Sequence, residues 1–349
     1  MPSDCEFSVV VSMNLRIVPY TYKYKVPFEI ARERRTIQKA LFIGLEFDGF
    51  TGWGECTTNS YYEADVDQFV RIAAEARPML REMKPEDPRS LYGLWEKLFS
   101  EHPFLRSAFD LAAWDLYGKM KSKSVQQLLG LKRNIDSKSC LTFGMDDPSL
   151  LVTRIIKQPW PIYKIKMGQD STTELFEEIS EVTNAQLHVD ANASWTLSKS
   201  IMLIPRLAQL GVSLVEQPLA VSLDKDMIQL KGRFRTPFFA DESFGGGKDL
   251  NRCADAFDGL NFKLQKLGGI SPTIDLIDKA KKKGLKIMIG CMTESSLGLS
   301  AAAQLASLAE HLDLDSLHLI DNDPALGLRV EAKGVFNADL PGLGAILEI

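Results

Sequence analysis

The sequence has few cysteines, and they show no regular spacing. Five cysteines occur in 349 residues, at positions 5, 56, 140, 253 and 291, and no two of them form a Cys-x-x-Cys pair. An odd and scattered set of this kind argues against a disulfide framework and against a structural zinc site. We therefore expect a reduced, cytoplasmic protein.

Long hydrophobic runs and an excess of basic charge are also missing. No stretch approaches the run of about 18 apolar residues that indicates a membrane-spanning helix. Lysine and arginine number 41 against 46 aspartates and glutamates, so the formal net charge is −5. Because nucleic-acid binding needs a clustered basic face, we expect neither a nucleic acid nor a membrane as a partner.

The chain divides into two parts with different patterns. Residues 1–12 are predicted to be a flexible leader, since they carry neither the basic segment nor the cleavage site of a signal peptide. Residues 13–133 contain strands, with a hairpin turn at Asp48-Gly49, followed by helices such as 105–119, which predicts an α+β domain. The C-terminal tail, 328–349, is expected to return and complete this domain.

Residues 134–327 alternate short apolar strands with amphipathic helices. The strand candidates end at intervals of 22 to 31 residues, which is the length of a βα unit. Eight such units predict a parallel barrel of the α/β class rather than an open sheet. The predicted strands are 137–143, 162–166, 186–190, 213–216, 237–241, 259–263, 286–290 and 316–321.

Carboxylates stand at the ends of three consecutive strand candidates. Asp190, Glu216 and Asp241 would meet at the mouth of a parallel barrel, where active sites are built. Each alone could be a helix cap, but three carboxylates at close range cannot all stay ionised without a compensating cation. Oxygen ligands suit Mg²⁺ better than zinc, which prefers histidine and cysteine. We therefore predict one Mg²⁺ per subunit, held by these three residues.

Lysines flank this carboxylate triad along the chain. Lys166 lies one strand before the triad, with Lys164 two residues earlier on the same face, and Lys263 lies one strand after it. Nearby positive charge lowers the pKa of a lysine, so Lys164 and the metal would help Lys166 to act as a base. Lys166 and Lys263 are thus candidates for an acid/base pair on opposite walls of the barrel.

Taken in order, these segments resemble the enolase superfamily, and within it the muconate-lactonising-enzyme subgroup. The resemblance is carried by Lys164-Ile-Lys166, Asp190-Ala-Asn192, Glu216-Gln-Pro218, Asp241-Glu242-Ser243 and Lys263-Leu-Gln-Lys266. It implies a TIM-like (β/α)7β barrel with an α+β capping domain, formed by the N-terminal part and the tail. It also implies that Lys164 touches the carboxylate or carbonyl of the substrate, and that three further residues support the site: Asn192, Glu242 and Lys266.

The predicted eighth strand narrows the choice within the subgroup. Asp321 and Asp323 form an Asp-x-Asp pair there, which resembles the dipeptide epimerases, where such a pair binds the free ammonium group of the substrate. Pro324 leaves open the alternative that the pair only closes a turn. Thr142, on the first barrel strand, is a further substrate contact by resemblance. No histidine follows the seventh strand candidate, which agrees with the branch that uses two lysines.

The resemblance therefore implies a Mg²⁺-dependent dipeptide epimerase, an isomerase that inverts the α-carbon of the C-terminal residue by two-base proton transfer through an enediolate. Two capping segments, 20–35 and 56–65, are predicted to be loops that set side-chain specificity. The basic first segment favours L-Ala-D/L-Glu of murein peptide recycling, whereas Tyr61 and Tyr62 favour a hydrophobic dipeptide. Cationic dipeptides also stay open.

Other activities remain as alternatives. Within the same subgroup they are o-succinylbenzoate synthase, N-succinylamino-acid racemase and cycloisomerase. From a different class, a catalytically silent binding barrel is the alternative. The expected partner is a small-molecule dipeptide, and we expect a homo-oligomer whose size the sequence does not fix.

Overall fold

An antiparallel sheet of three strands opens the described part of the chain. The computed structural model describes residues 12–30, 33–132, 137–145 and 147–349, so nearly all of the predicted leader lies outside it. The strands are β1 (Asn14–Ile30), β2 (Glu33–Phe47) and β3 (Phe50–Thr57). Asp48 and Gly49, with φ of 48° and 78°, form the predicted tight turn between β2 and β3.

The segment 20–35 is a β-hairpin in its described part, not the predicted loop. Buried Tyr22 and Tyr24 alternate with exposed Thr21, Lys23 and Lys25, which is the two-residue period of a half-buried strand. β1 pairs with β2 along this segment, with a register irregularity between Lys23 and Phe28. Residues 31 and 32 are outside the described part.

Helices then pack against this sheet. They are α1 (Val66–Glu75), α2 (Arg77–Arg81), α3 (Pro88–Leu98), α4 (Pro103–Met120) and α5 (Val125–Leu128). α4 lies directly on β3, because Gly52 and Gly54 leave no side chain between the two backbones. A Cβ at Gly54 would lie only 1.9 Å from the carbonyl oxygen of Ala108. Gly52 and Gly54 therefore let β3 lie directly against α4, and this close packing fixes the position of Glu55, the next residue of β3.

Eight parallel strands follow and confirm the predicted barrel. Each strand pairs with its sequence neighbour, and a parallel bridge between Ser139 and Leu312 joins the first strand to the last. The strands are β4 (Leu141–Phe143), β5 (Ile162–Lys166), β6 (Gln186–Asp190), β7 (Val212–Glu216), β8 (Phe238–Ala240), β9 (Gly259–Lys263), β10 (Lys286–Gly290) and β11 (His311–Asp313).

Helices cover the outside of the barrel. They are α6 (Pro148–Lys157), α7 (Glu174–Val182), α8 (Leu197–Gln209), α9 (Asp224–Arg233), α10 (Leu250–Ala256), α11 (Leu264–Leu267), α12 (Ile270–Lys282) and α13 (Ser296–Ala303). Apolar side chains from the helices and strands form a large core, and Leu214, Phe239 and Met288 of the strands form a small separate cluster.

The prediction of an eighth strand at 316–321 is wrong. α13 ends at Ala303, and the chain returns to the barrel as β11 at His311–Asp313, before the predicted strand begins. Ser316–His318 forms a short 3-10 helix instead. Ile320, whose apolar neighbours suggested a strand, makes an antiparallel bridge to Tyr24 of the N-terminal sheet.

The C-terminal tail contacts both parts of the molecule. It contains β12 (Ala325–Leu326), β13 (Arg329–Glu331), β14 (Gly334–Phe336) and β15 (Ile346–Leu347). The backbone N–H of Leu343 donates to Asp115 on α4 at 2.9 Å, and Gln304, just after α13, donates to the carbonyl of Leu343 at 2.8 Å. The predicted domain boundary at residue 134 falls among residues 133–136, which are not described.

Two simpler features concern the same described residues. The helices given above include none whose length and hydropathy would let it cross a bilayer. The cysteines of this part, Cys56, Cys140, Cys253 and Cys291, are all free thiols.

Candidate active site

The predicted site residues share one level of the barrel. Backbone pairing places Lys166 opposite Asp190, and Asp190 opposite Glu216. On the other side, Lys263 pairs with Gly290, which pairs in turn with Asp313. Lys166, Lys263 and Asp313 line a pocket between the barrel mouth and the N-terminal sheet at this level.

The three predicted metal ligands converge at the barrel mouth, where Asp241 lines the pocket. Asp190, Glu216 and Asp241 are buried, and one carboxylate oxygen from each lies within 4.8 Å of the other two. Neighbouring groups orient them, since Asn261 Nδ2 donates to Glu216 Oε1 at 2.7 Å and the N–H of Asn192 donates to Asp190 Oδ1 at 2.9 Å. An all-oxygen donor set without histidine or cysteine fits Mg²⁺.

The predicted catalytic lysines stand on opposite walls. β5 and β9 are four strands apart in a ring of eight, and the triad strands β6 to β8 lie between them. Lys166 Nζ lies 2.5 Å from Asp190 Oδ2, and Lys263 Nζ lies 2.8 Å from Asp241 Oδ2. Both side chains line the pocket. A molecule bound beside the triad would therefore have one amine on each side.

Two further lysines complete the charge arrangement. Lys164 Nζ lies 2.7 Å from Glu216 Oε2 and 2.6 Å from Asp313 Oδ2, so it stands between the triad and the eighth strand. Lys266 Nζ lies 2.5 Å from Asp241 Oδ1 and 2.8 Å from the carbonyl oxygen of the same residue. Lys164 is one of the residues that line the pocket. Lys266 is not, but it contacts Asp241, one of the predicted metal ligands, from behind.

Burial and charge shift the pKa values of the triad in different directions. Burial, with the charges of Asp190 and Asp241, raises the pKa of Glu216 to about 7, although Lys164 opposes the shift. Burial also disfavours the charge of Asp241, but Lys263 and Lys266 outweigh it and hold the pKa of that carboxyl below its usual range. The triad thus needs positive charge in order to stay ionised.

Asp313 and Asp315 occupy the strand end at which the sequence analysis expected Asp321 and Asp323. Both line the pocket, on the wall across the ring from Glu216. The N–H of Thr142 donates to Asp315, and Thr142 Oγ1 donates to Asp313 Oδ1 at 3.4 Å. Burial and the charge of Asp313 raise the pKa of Asp315 to about 7. Two carboxyls on one face of a pocket form a site for a cation.

Asp321 and Asp323 are not among the residues that line the pocket, because the eighth strand ends at Asp313 and not at residue 321 as predicted. Asp321 is exposed beyond β11 and donates its backbone N–H to the carbonyl of Lys23 at 2.9 Å. Asp323 accepts hydrogen bonds from the N–H groups of Ser296 and Ala325. The interval between strand ends could have predicted Asp313 as the end of the eighth strand. Asp313 follows Gly290 by 23 residues, which is within the range of the other strand intervals.

The supporting residues Asn192 and Glu242 also line the pocket, where Asn192 Nδ2 donates to Glu242 Oε1 at 3.5 Å. Asn192, Ala193 and Gln217 have φ of 44°, 60° and 37°, so the backbone beside the triad adopts left-handed conformations that L-residues rarely take. Gln217 was not among the predicted site residues. Its Oε1 accepts from the backbone N–H of Asp241 at 3.1 Å and thereby fixes the backbone from which that carboxylate projects.

Residues of the N-terminal domain form the wall of the pocket that faces the barrel mouth. Phe28, Arg35, Asn59, Tyr61 and Tyr62 form this wall. It combines aromatic surface with one cation. Met292 and Leu319 from the barrel face it.

Comparisons with known proteins agree with this geometry. Residues 12–130 match the family described as mandelate racemase/muconate lactonizing enzyme, N-terminal domain, and residues 151–348 match the family described as enolase C-terminal domain-like. The chain is 36% identical to an L-Ala-D/L-amino acid epimerase from Maribacter sp., over 96% of this chain and 99% of that protein. It is 31% identical to a hydrophobic dipeptide epimerase from Roseobacter litoralis, over 93% and 96% of the two chains.

A solved structure shares the fold. The dipeptide epimerase from Cytophaga hutchinsonii, complexed with Mg and the dipeptide D-Ala-L-Val, aligns with a TM-score of 0.89 at 23% identity and covers 97% of this chain and 96% of that one. The full-length relatives confirm the predicted enzyme class, an isomerase. The chain belongs to the mandelate racemase/muconate lactonizing enzyme family of the enolase superfamily.

Proposed function

We propose that this protein is a Mg²⁺-dependent dipeptide epimerase that inverts the α-carbon of the C-terminal residue. One observation carries the proposal: Lys166 and Lys263 face each other across a pocket lined by Asp241, whose carboxylate lies within 4.8 Å of those of Asp190 and Glu216. The names of the two relatives matched over nearly their full length support it.

Each group has a distinct task in this reaction. Asp190, Glu216 and Asp241 would hold Mg²⁺, which supplies the positive charge that stabilises an enediolate. Lys164 Nζ, between the triad and Asp313, would donate to the carboxylate of the substrate. One catalytic lysine takes the α-proton onto its Nζ, and the other gives a proton from the opposite face. Inversion follows because the proton leaves one face and returns to the other.

The acidic wall favours a dipeptide over the substrates of other subgroup members. Asp313 and Asp315 would bind the α-ammonium group of a dipeptide through charge-assisted hydrogen bonds. Succinylated amino acids and o-succinylbenzoate precursors carry no such ammonium group. Lys164 already pairs with Asp313 at 2.6 Å, whereas Asp315 would face such a substrate buried and repelled by the charge of Asp313, which is costly.

The wall formed by the N-terminal domain bears on the side chain of the C-terminal residue. Arg35 in the pocket wall supports L-Ala-D/L-Glu, a dipeptide of murein peptide recycling, because a cation attracts the glutamate side chain. Phe28, Tyr61 and Tyr62 in the same wall support a hydrophobic dipeptide as the second candidate. The buried free thiols of Cys56, Cys140 and Cys253 support a reducing, cytoplasmic location.

Solvent exchange tests the proposal. The protein is incubated in D₂O with Mg²⁺ and with L-Ala-L-Glu, L-Ala-L-Leu or an N-succinylamino acid, and NMR follows the C-terminal α-proton. We expect deuterium incorporation and appearance of the epimer with the dipeptides, and neither after EDTA treatment. Exchange of the succinylated compound alone would replace the proposal with N-succinylamino-acid racemisation. No exchange with any dipeptide would contradict it.

A further inference from the structure

Two buried glutamates outside the reaction centre meet where the N-terminal sheet contacts the barrel. Glu55 ends the glycine-containing segment of β3, and Glu294 lies in the loop between β10 and α13. A Cβ added at Gly298 would lie 2.4 Å from Glu294 Oε2 and 2.9 Å from Glu55 Oε2. The two carboxyls therefore converge on one small space, and we call them the seam pair.

Glu55 reaches from its own domain to cap a barrel helix. Its carboxylate accepts from the N–H of Ser295 at 3.0 Å and from the N–H of Gly298 at 3.2 Å, at the N-terminus of α13. The hydroxyls of Ser295 and Tyr22 donate to it at 2.5 and 2.6 Å. Several donors and a helix N-terminus all favour the ionised form of this carboxyl.

Glu294 connects the same place to the wall of the pocket. Its Oε1 accepts from the N–H of Met292 at 2.7 Å, and its backbone N–H and C=O both bond to the hydroxyl of Ser316. Met292 and Thr293 line the pocket, and Thr293 Oγ1 lies 2.8 Å from the hydroxyl of Tyr24 on β1. The loop that carries Glu294 is thus part of the substrate site.

The surroundings oppose two negative charges at this point. Burial and the charge of Glu294 raise the pKa of Glu55 to about 8, and burial raises the pKa of Glu294 as well. Lys263 is the cation that faces Glu294, and it opposes this shift. The other facing groups are Tyr22, Cys56 and Cys291, whose pKa values burial raises so that they stay neutral, and Asp323, whose charge reaches Tyr22.

We propose that Glu55 and Glu294 are positioning residues that share one proton, and that this proton keeps the pocket wall at 291–293 docked to the N-terminal sheet. When the proton is lost at alkaline pH, two adjacent buried carboxylates repel each other and the wall loosens. The consequence for substrate binding rests on the proposed epimerase function. The consequence for stability does not.

The sign of the stability effect follows from proton uptake. An unfolded glutamate titrates near pH 4.5, whereas Glu55 in the folded protein titrates near pH 8. Between these values the folded state holds more protons, so stability falls as pH rises through this window and reaches its lower limit above pH 8. One proton changes the unfolding equilibrium constant by at most about tenfold per pH unit.

The test compares the Mg²⁺-saturated wild type with Glu55→Gln, and with Glu294→Gln as a second variant that removes the other member of the pair. Glu75→Gln, an exposed substitution on α1, is the matched control. Thermal unfolding is measured from pH 5 to 9, and hydrogen exchange of 291–298 is compared between variants at one pH. The wild type and the control should lose stability relative to Glu55→Gln as pH rises to 8. Parallel unfolding profiles of the wild type and Glu55→Gln would overturn the shared proton.

Kinetics test the positioning role separately. Above pH 8 the KM of the wild type for the dipeptide should rise severalfold more than that of Glu55→Gln, while kcat stays similar in the two. If the unfolding profiles differ as expected but the KM profiles coincide, the positioning role is refuted and only the shared proton stands. If no dipeptide is a substrate, the proposed function fails, whereas the unfolding and exchange measurements still decide on the shared proton.

Discussion

Asp315 offers the sharpest test of how the substrate is held, because its role depends on where the eighth strand ends. In the variant Asp315→Asn the side chain keeps its shape and loses its charge. If Asp315 binds the ammonium group of the dipeptide, the variant loses a charge-assisted hydrogen bond in a buried site, which is worth about 1.5–3 kcal/mol. At about 1.4 kcal/mol per tenfold change, kcat/KM should fall by roughly 10- to 150-fold.

The same residue predicts a pH dependence. Burial and the charge of Asp313 raise the pKa of Asp315 to about 7, and only its ionised form attracts an ammonium group. With Mg²⁺ in excess, kcat/KM of the wild type should therefore fall as pH drops below 7. Asp315→Asn has no charge to lose there, so its profile should be flatter over the same range.

The assay is epimerisation of L-Ala-L-Glu, or of the best dipeptide of the panel, followed by polarimetry or NMR from pH 5.5 to 8.5. Asp321→Asn is the matched control, since Asp321 is exposed beyond the strand end. It should leave kcat/KM within about twofold, as expected for a surface substitution. If Asp321→Asn lost activity while Asp315→Asn kept it, the assignment of the ammonium site would be wrong.

The other predictions concern the catalytic lysines, the metal site and the packing of the first domain. Lys166→Ala and Lys263→Ala should each lower the rate of epimerisation by about 10²–10⁴-fold, and each should still exchange the α-proton of one epimer, a different one in each variant, as NMR in D₂O would detect. Exchange of the same epimer by both variants would contradict opposite walls. Glu216→Gln should abolish Mg²⁺ binding in calorimetry while the fold, checked by circular dichroism, is kept; unchanged binding would refute the triad. Gly54→Ala should lower the free energy of unfolding by about 1–3 kcal/mol in urea titration, because its Cβ would strike the carbonyl of Ala108; unchanged stability would show that α4 is not held by this contact.

Much of the reaction centre could be predicted from sequence because it lies on strand ends. A buried parallel strand shows itself as a short apolar run, and the polar residue that ends it reaches the barrel mouth whatever its helix does. Lys166, Asp190, Glu216 and Lys263 all end strands whose predicted end residues agree with the structure. Lys166 and Lys263 therefore line one pocket, and Asp190 and Glu216 lie against lysines that line it.

The position of the eighth strand could not be predicted in this way, because its apolar run is too short to stand out. Only three residues, His311–Asp313, make the ladder, whereas Leu319 and Ile320, which were predicted to belong to the strand, bond to Lys25 and Tyr24 of the N-terminal sheet. Periodicity within the chain does not distinguish apolar residues that face the barrel from those that face another domain. The predicted loop at 20–35 shows the converse, since its described part pairs as strands β1 and β2 in which Tyr22 and Tyr24 are buried.

The sequence by itself determined the barrel, the three carboxylates at successive strand ends and the lysines that flank them, because each depends on residue type and on spacing along the chain. Only the tertiary structure decided that Asp313 and Asp315 face the pocket, that Gln217 fixes the backbone of Asp241, and that Glu55 and Glu294 meet. These pairings join residues from different strands or different domains. Their energies come from burial and from charges brought close by folding, and no local pattern along the chain encodes them.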